Sequence, residues 1–155
     1  MPDQGEEANA HLKVIFIYSF TKYIEWPAES KLGNFVVGVF GTNPVLLGEL
    51  NKMASSKTVV SQKIEIKTIS SATDASKCQI VYILPDNSGQ LNEVVTKVKG
   101  SNTLIVTEKT GLSKQGAGIN FVFVDDKLKF ELNKPNIENH NLKVASVFEA
   151  MAVNK

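Results

Sequence analysis

The opening stretch of the chain, from Glu6 to Trp26, carries apolar residues at helical spacing. Side chains three and four positions apart share one face of a helix, and here they are Leu12, Ile15, Phe16, Phe20, Tyr23 and Ile24. Residues 14–20 are also compatible with a buried strand, because a short apolar run fits both structures. The acidic pair Glu6-Glu7, which suits a helix N-terminus, and the stop at Pro27 favour the helix.

Predicted strands alternate with predicted helices through the middle of the chain. Apolar runs predict strands at 34–41, 63–69, 78–84 and 102–107, and helical periodicity predicts helices at 45–54 and 91–98. Asn43 and Pro44 suit the N-cap and the first position of the earlier helix. The strict alternation within 63–69 is typical of a half-exposed strand near a sheet edge.

The last third of the chain follows a different pattern. Residues 118–124 and 127–133 alternate apolar and polar side chains around Asp125-Asp126, which predicts a β-hairpin. Apolar positions over 141–153 predict a closing helix. Together the elements predict an α/β fold of three layers, with a mainly parallel sheet flanked by helices and a C-terminal antiparallel hairpin. We expect one domain over residues 1–155, with about residues 1–8 as a candidate disordered segment.

Composition narrows the classes of partner. Lysine supplies all 17 basic residues against 16 acidic ones, so the net charge is +1 and no arginine fork can read phosphate or guanine. Nucleic-acid binding is therefore not expected. No run of 18 apolar residues occurs, so direct membrane insertion is not expected either. The polar residues 1–7 leave two explanations open: a cytosolic protein, or a mature chain whose leader was replaced by an initiator Met.

Candidate reactive side chains lack the partners that their chemistry requires. Residues 38–44 join a strand to a helix without a phosphate-binding glycine pattern, and a tight turn is the favoured interpretation. Asp86 follows a strand as a phosphoacceptor would, but the carboxylates of a Mg²⁺ site are missing, so we interpret it as a turn former. Cys78, the single cysteine, is interpreted as buried and structural rather than redox-active. We expect no enzyme activity, cofactor or metal site.

The first helix is apolar on more than one side, and such a helix must bury its second face somewhere. One hypothesis is a self-association surface formed by Val14, Ile17, Tyr18 and Phe20, which would make the protein a homodimer. The other is burial of these side chains between the sheet and neighbouring helices. The sequence leaves both open.

Three segments of the chain form a recognisable set of motifs. They are residues 13–27, which end in KYIEWP, residues 116–122, in which two glycines lead into INF, and residues 129–133 with the segment that follows them. Taken together, these motifs resemble those of the YfiR family of bacterial secreted proteins. The motif residues that we interpret as structural are Tyr23, Trp26, Pro27, Gly116, Gly118, Phe121 and Asn133. The alternative for the glycine strand is a surface that contacts a partner or a ligand.

This resemblance implies a periplasmic protein made with a cleaved signal peptide, which favours the missing-leader explanation. It also implies a non-enzymatic regulator. The best-understood member looks like a repressor that binds the periplasmic domain of an inner-membrane diguanylate cyclase and lowers cyclic-di-GMP output, hence biofilm formation. The expected partner is a membrane-bound signalling protein, and the expected assembly is a homodimer. The alternatives are a periplasmic small-ligand-binding or sensor domain without a cyclase partner, and an enzyme.

Overall fold

Helices and strands alternate along the chain, joined by short 3₁₀ turns. The computed structural model describes residues 4–153. The helices are α1 (Gln4–Tyr23), α2 (Pro44–Ser56), α3 (Leu91–Lys97), α4 (Lys134–Glu138) and α5 (Ser146–Glu149). The strands are β1 (Ile24–Glu25), β2 (Phe35–Phe40), β3 (Thr58–Val59), β4 (Gln62–Ile69), β5 (Ile80–Ile83), β6 (Leu104–Thr107), β7 (Ile119–Val124), β8 (Lys127–Leu132) and β9 (Lys143–Val144). None of the described helices is long and apolar enough to cross a membrane.

Seven strands form one sheet in the order β3-β4-β2-β5-β6-β7-β8, and β1 pairs antiparallel with β9 in a separate small sheet. The five inner strands run parallel, and the antiparallel strands β3 and β8 close the two edges. The larger core lies under α1 and α2, and the smaller core lies under α3 and the 3₁₀ turn at 72–77. This confirms the predicted three-layer α/β fold with its mainly parallel sheet and C-terminal hairpin.

α1 is a helix, as the apolar spacing predicts, and it lies against the larger core. Phe16 and Phe20 pack on Phe121 and Phe130 of the hairpin, with ring centroids between 5.8 and 6.1 Å apart. The helix ends at Tyr23 rather than at residue 26, because the two residues that follow pair with β9. Residues 4–8 belong to α1, and residues 1–3 of the segment considered as a candidate for disorder lie outside the described part of the chain.

The structure also corrects the proposed self-association surface. Val14, Ile17 and Phe20 are buried inside the subunit, the last two without exposed area. Tyr18 is half-buried, and its hydroxyl donates to the Thr58 carbonyl oxygen at 3.1 Å. The physical reason is that the sheet and α2 both pack against α1, so one subunit covers both of the apolar sides that the sequence leaves unassigned.

The C-terminal segment departs from its predicted helix over 141–153. Residues 143–144 form β9, because they pair with β1, and only the short helix α5 follows. Asn141 has a φ of 59°, which turns the chain immediately before β9. The sequence pattern also missed α4, whose first turn is capped by Asn133: its side-chain oxygen accepts from the Asn136 N–H at 3.0 Å.

The predicted β-hairpin is confirmed as β7 and β8. Asp125 and Asp126 have φ angles of 52° and 61°, as a two-residue type I′ turn requires. The resulting register pairs Phe121 with Phe130, which places both rings on the face that α1 covers.

Gly116 and Gly118 lie where the chain enters β7, and neither position has room for a side chain. Gly116 has a φ of +119°, and a Cβ there would lie 2.7 Å from Val95 Cγ2. A Cβ on Gly118 would lie 2.8 Å from Ile137 Cγ1 and 3.0 Å from Leu104 Cδ1. Both glycines therefore permit close packing at the start of the strand.

We predict that Gly116→Ala and Gly118→Ala each lower the free energy of unfolding by about 1–3 kcal/mol, since the first strains the backbone and the second overpacks the core. Gly48→Ala is the matched control. Gly48 lies in α2 with open space around it and an ordinary φ, so alanine should raise stability by roughly 0.5–1 kcal/mol. Urea unfolding of the three variants measures the difference. Wild-type stability of the Gly116→Ala or the Gly118→Ala variant would contradict the structural role of that glycine.

Candidate functional site

The KYIEWP segment lines a cavity of about 680 Å³ at the amino ends of β2 and β4, which we call the motif groove. Its walls come from the end of α1, β1, the start of β2, the β3–β4 turn and β9. Its apolar lining consists of Tyr23, Ile24, Trp26, Phe35, Val59, Val60, Val144 and Ala145. The fold thus brings three other parts of the chain, at 31–35, 59–62 and 143–145, to a segment that the sequence already marks.

Trp26 forms part of the floor of the motif groove, and Pro27 starts the turn that follows it. The Trp26 ring packs edge-on against Phe35, with centroids 5.0 Å apart, and its Nε1–H donates to the Asn102 carbonyl oxygen at 3.1 Å. The Pro27 carbonyl oxygen accepts from the Ser30 N–H at 3.0 Å, which starts the 3₁₀ turn at 28–31. These contacts support the structural interpretation of both residues and also shape the cavity.

Tyr23 joins the groove to the C-terminal segment. Its ring stacks on Phe148 with centroids 5.0 Å apart, and its carbonyl oxygen accepts from the Ala145 N–H at 2.9 Å. The neighbouring Ile24 pairs with Val144 across the small sheet. The C-terminal segment therefore forms one wall of the groove, which explains why it does not continue as a helix.

The rim of the motif groove is mostly basic. Lys22, Lys31 and Lys143 are exposed along it, and Glu25 is the one exposed acid among its lining residues. An apolar floor inside a positively charged rim is complementary to a partner segment that offers an apolar side chain next to acidic residues.

Val60 stands at the tip of the β3–β4 turn on the edge of the groove, with 96% of its surface exposed and a φ of 56°. A β-branched residue rarely adopts a left-handed backbone. A two-residue hairpin turn with positive φ only at its first central position normally has glycine there. Folding alone therefore does not favour valine at this position, and strain of this kind is typical of functional surfaces.

The second motif contributes a buried residue that the sequence interpretation did not single out. Asn120, in INF, accepts from the Thr107 hydroxyl at 2.7 Å and from the Lys109 N–H at 3.0 Å. Its amide nitrogen donates to the Lys109 carbonyl oxygen at 2.8 Å and to a Glu131 carboxylate oxygen at 3.0 Å. An asparagine within an apolar strand was the available signal, since a buried amide must satisfy all its hydrogen bonds.

Asn133 performs a related task in the third motif. Besides capping α4, it donates from Nδ2 to the Ser113 carbonyl oxygen at 2.8 Å. Asn136 donates to the same oxygen at 3.1 Å and to the Ala117 carbonyl oxygen at 2.9 Å. The asparagines of both motifs thus hold the segment between β6 and β7, which supports a structural role rather than a binding role.

The remaining candidate positions lie away from the groove. Asn43 caps α2 as predicted, and its Oδ1 accepts from the Leu46 N–H at 3.1 Å. Asp86 lies exposed in the 3₁₀ turn after β5. Cys78 is buried in the smaller core, where burial raises the pKa of its thiol to about 11. A protonated, buried thiol is a poor nucleophile, in keeping with the structural interpretation.

We predict that an aromatic disulfide reagent labels Cys78 slowly in the folded protein at pH 8, because only about one thiol in a thousand would be ionised, and rapidly after unfolding. An exposed neighbour provides the control, namely Lys77→Cys combined with Cys78→Ala, which should react fast without denaturant. Absorbance of the released thiolate follows the reaction. Fast labelling of the native wild type would show that the thiol is accessible and ionised.

Comparison with known proteins agrees with the three motifs. A family model described as YfiR/HmsC-like matches residues 10–152, which include all of them. A search of curated proteins returned no match. The family is one of periplasmic, non-catalytic regulators that act on membrane signalling proteins, in keeping with a role in cyclic-di-GMP signalling. Since the match covers nearly the whole chain, this protein belongs to the YfiR/HmsC-like family.

Proposed function

We propose that this protein is a periplasmic repressor of a membrane-bound diguanylate cyclase and that it binds the periplasmic part of that cyclase through the motif groove. The carrying observation is Val60, an exposed apolar side chain in a strained backbone conformation beside an apolar cavity. The residues 1–155 would act as one domain. Such a regulator would work by binding one signalling state of its partner more tightly than the other.

The chemistry of the groove suggests what the partner offers. Val59, Val60 and Val144 present apolar surface, and the buried rings beneath them exclude water. The lysines on the rim favour acidic residues beside the inserted apolar side chain. The energy of such an interface comes mainly from the apolar anchor, while the charges steer the encounter and set specificity.

The Val60→Gly variant tests the role of Val60 in partner binding separately from its effect on the stability of the fold. Glycine is the preferred residue at this turn position, so we expect stability to be unchanged or higher. We also expect affinity for the partner to fall by about ten-fold or more, because the anchor is lost. Calorimetry with the isolated periplasmic domains of membrane-bound diguanylate cyclases from the same bacterium gives the affinity. Leu32→Ala is the control, since Leu32 is 78% exposed and does not line the groove.

The proposal also has a cellular readout. Deleting the gene should raise cyclic-di-GMP, the wild-type gene should restore the low level, and the Val60→Gly gene should restore it less well than the Leu32→Ala gene. Unchanged cyclic-di-GMP after deletion, or equal complementation by both variants, would argue against repression through the groove.

Self-association remains part of the proposal, but through residues other than the four first considered for it. Leu12 and Ile15 lie three positions apart on α1 and are 42% and 49% exposed. They form the outward apolar stripe of the helix, whose other large apolar residues are buried or half-buried. We propose that this stripe is the dimer contact.

Replacing both residues, with Leu12→Lys and Ile15→Lys, should convert a dimer into a monomer without lowering the melting temperature, because both side chains are substantially exposed. Sedimentation velocity at micromolar concentration measures the assembly. Leu32→Lys is the control for added charge. A monomeric wild type would remove this proposal and leave the partner interaction unaffected.

A further inference from the structure

A second cavity, of about 520 Å³, lies at the opposite end of the sheet from the motif groove. Its walls follow the carboxyl ends of β2, β5 and β6, together with α1 and the start of α2. We call it the switch-point pocket, and the residues that matter for its chemistry are Lys13, Gly41, Asn43, Tyr82, Asn87 and Glu108.

The position of this pocket follows from the topology. Numbered along the chain, the five parallel strands lie in the order 2-1-3-4-5. α2 follows β2 on one face of the sheet, and α3 follows β5 on the other face. Connections that leave neighbouring strands on opposite faces open a crevice at the carboxyl ends of those strands. In open α/β sheets this is the usual place for a ligand.

A mostly buried ion pair lines the switch-point pocket. Lys13 Nζ lies 2.8 Å from Glu108 Oε1, and each side chain is only 16% exposed. A buried pair contributes little net stability, because both charges lose their hydration. The stability of the fold therefore explains the presence of this ion pair only weakly. Binding of a ligand that carries charges of its own would explain it directly.

Tyr82 holds the carboxylate of this pair in place. Its hydroxyl donates to Glu108 Oε1 at 2.6 Å from a fully buried position on β5. Burial, followed by the neighbouring Glu108 charge, raises the pKa of Tyr82 well above its ordinary value, so the hydroxyl remains a donor. Lys13 and Tyr82 both contact Oε1, so Oε2 retains lone pairs that can accept from a ligand.

Gly41 and Asn87 add a close-packed polar wall. Gly41 has a φ of +123°, and a Cβ at this position would run into Asn87 Oδ1. Only glycine therefore allows the half-buried Asn87 amide to lie against the end of β2. Asn43 uses its Oδ1 to cap α2, which leaves its amide nitrogen as a donor beside the positive end of that helix.

These groups present both signs of charge within one small polar cavity. Glu108 and the nearby Asp86 disfavour a phosphate or another simple anion, and Lys13 disfavours a simple cation. We propose that the switch-point pocket binds a small hydrophilic zwitterion of the amino-acid type. Its ammonium group donates to Glu108, and its carboxylate group accepts from Lys13 and from the Asn43 amide. This inference stands independently of the partner proposed for the motif groove.

The test compares molecules that carry both charges with molecules that carry one. L-serine and L-glutamine are the zwitterions, ethanolamine supplies the cation alone, and lactate and inorganic phosphate supply anions. Millimolar titrations of the full chain are followed by melting temperature and by backbone amide NMR signals. We expect a zwitterion to raise the melting temperature and to shift the signals of Gly41 and Glu108, with weaker or no effects from the single-charge molecules.

A double variant, Lys13→Met with Glu108→Gln, removes both charges and keeps the shapes of the side chains. It should fold as stably as wild type, since neutral replacement of a buried pair is usually tolerated, and it should bind the zwitterion about ten-fold or more weakly. Lys134→Met with Glu149→Gln, at an exposed ion pair of 3.6 Å, should leave binding unchanged. The proposal fails if neither zwitterion binds, if phosphate or lactate binds equally well, or if the double variant keeps its affinity.

Discussion

The packing of α1 against the sheet is the interaction on which the rest of the structure depends. Phe16 and Phe20 pack against the rings of Phe121 and Phe130 in tilted and edge-on contacts, and Phe148 closes the cluster from the C-terminal segment. This cluster joins α1 to the hairpin of β7 and β8 and to α5. Such long-range aromatic burial supplies much of the core energy. It also explains why the end of α1, β1 and β9 meet at one place and form the motif groove.

A second constraint on the fold comes from the hydrogen bonds of asparagine side chains rather than from aromatic packing. The side chain of Asn120 makes four hydrogen bonds, and Asn133 and Asn136 add three more contacts to the segment between β6 and β7. Buried polar groups are costly unless every one is paired, and a fully paired set fixes a single loop conformation. The two glycines at the start of β7 then allow this rigid segment to lie directly against α3 and α4.

The two cavities differ in chemistry because they lie at opposite ends of the strands. The motif groove, at the amino ends, has an apolar floor, a basic rim and an edge residue under backbone strain. The switch-point pocket, at the carboxyl ends, is polar and contains the ion pair of Lys13 and Glu108. α1 contributes to both, with Lys13 in its first half and Tyr23 at its end. The proposed partner surface and the proposed small-molecule site thus share one helix.

The sequence by itself determined the α/β class, the central strands, the capped start of α2 and the hairpin turn at Asp125 and Asp126, because each depends on local periodicity or on the backbone preference of a few residues. It also marked the KYIEWP segment. Only the tertiary structure decided whether the second face of α1 was a surface or a core. The helical periodicity shows that the side chain of Ile17 must be buried. It does not show whether the same subunit or a second copy buries it. The pairing of β9 with β1, which replaced a predicted helix, and the meeting of Lys13, Tyr82 and Glu108 were decided in the same way, by contacts between residues far apart in the chain.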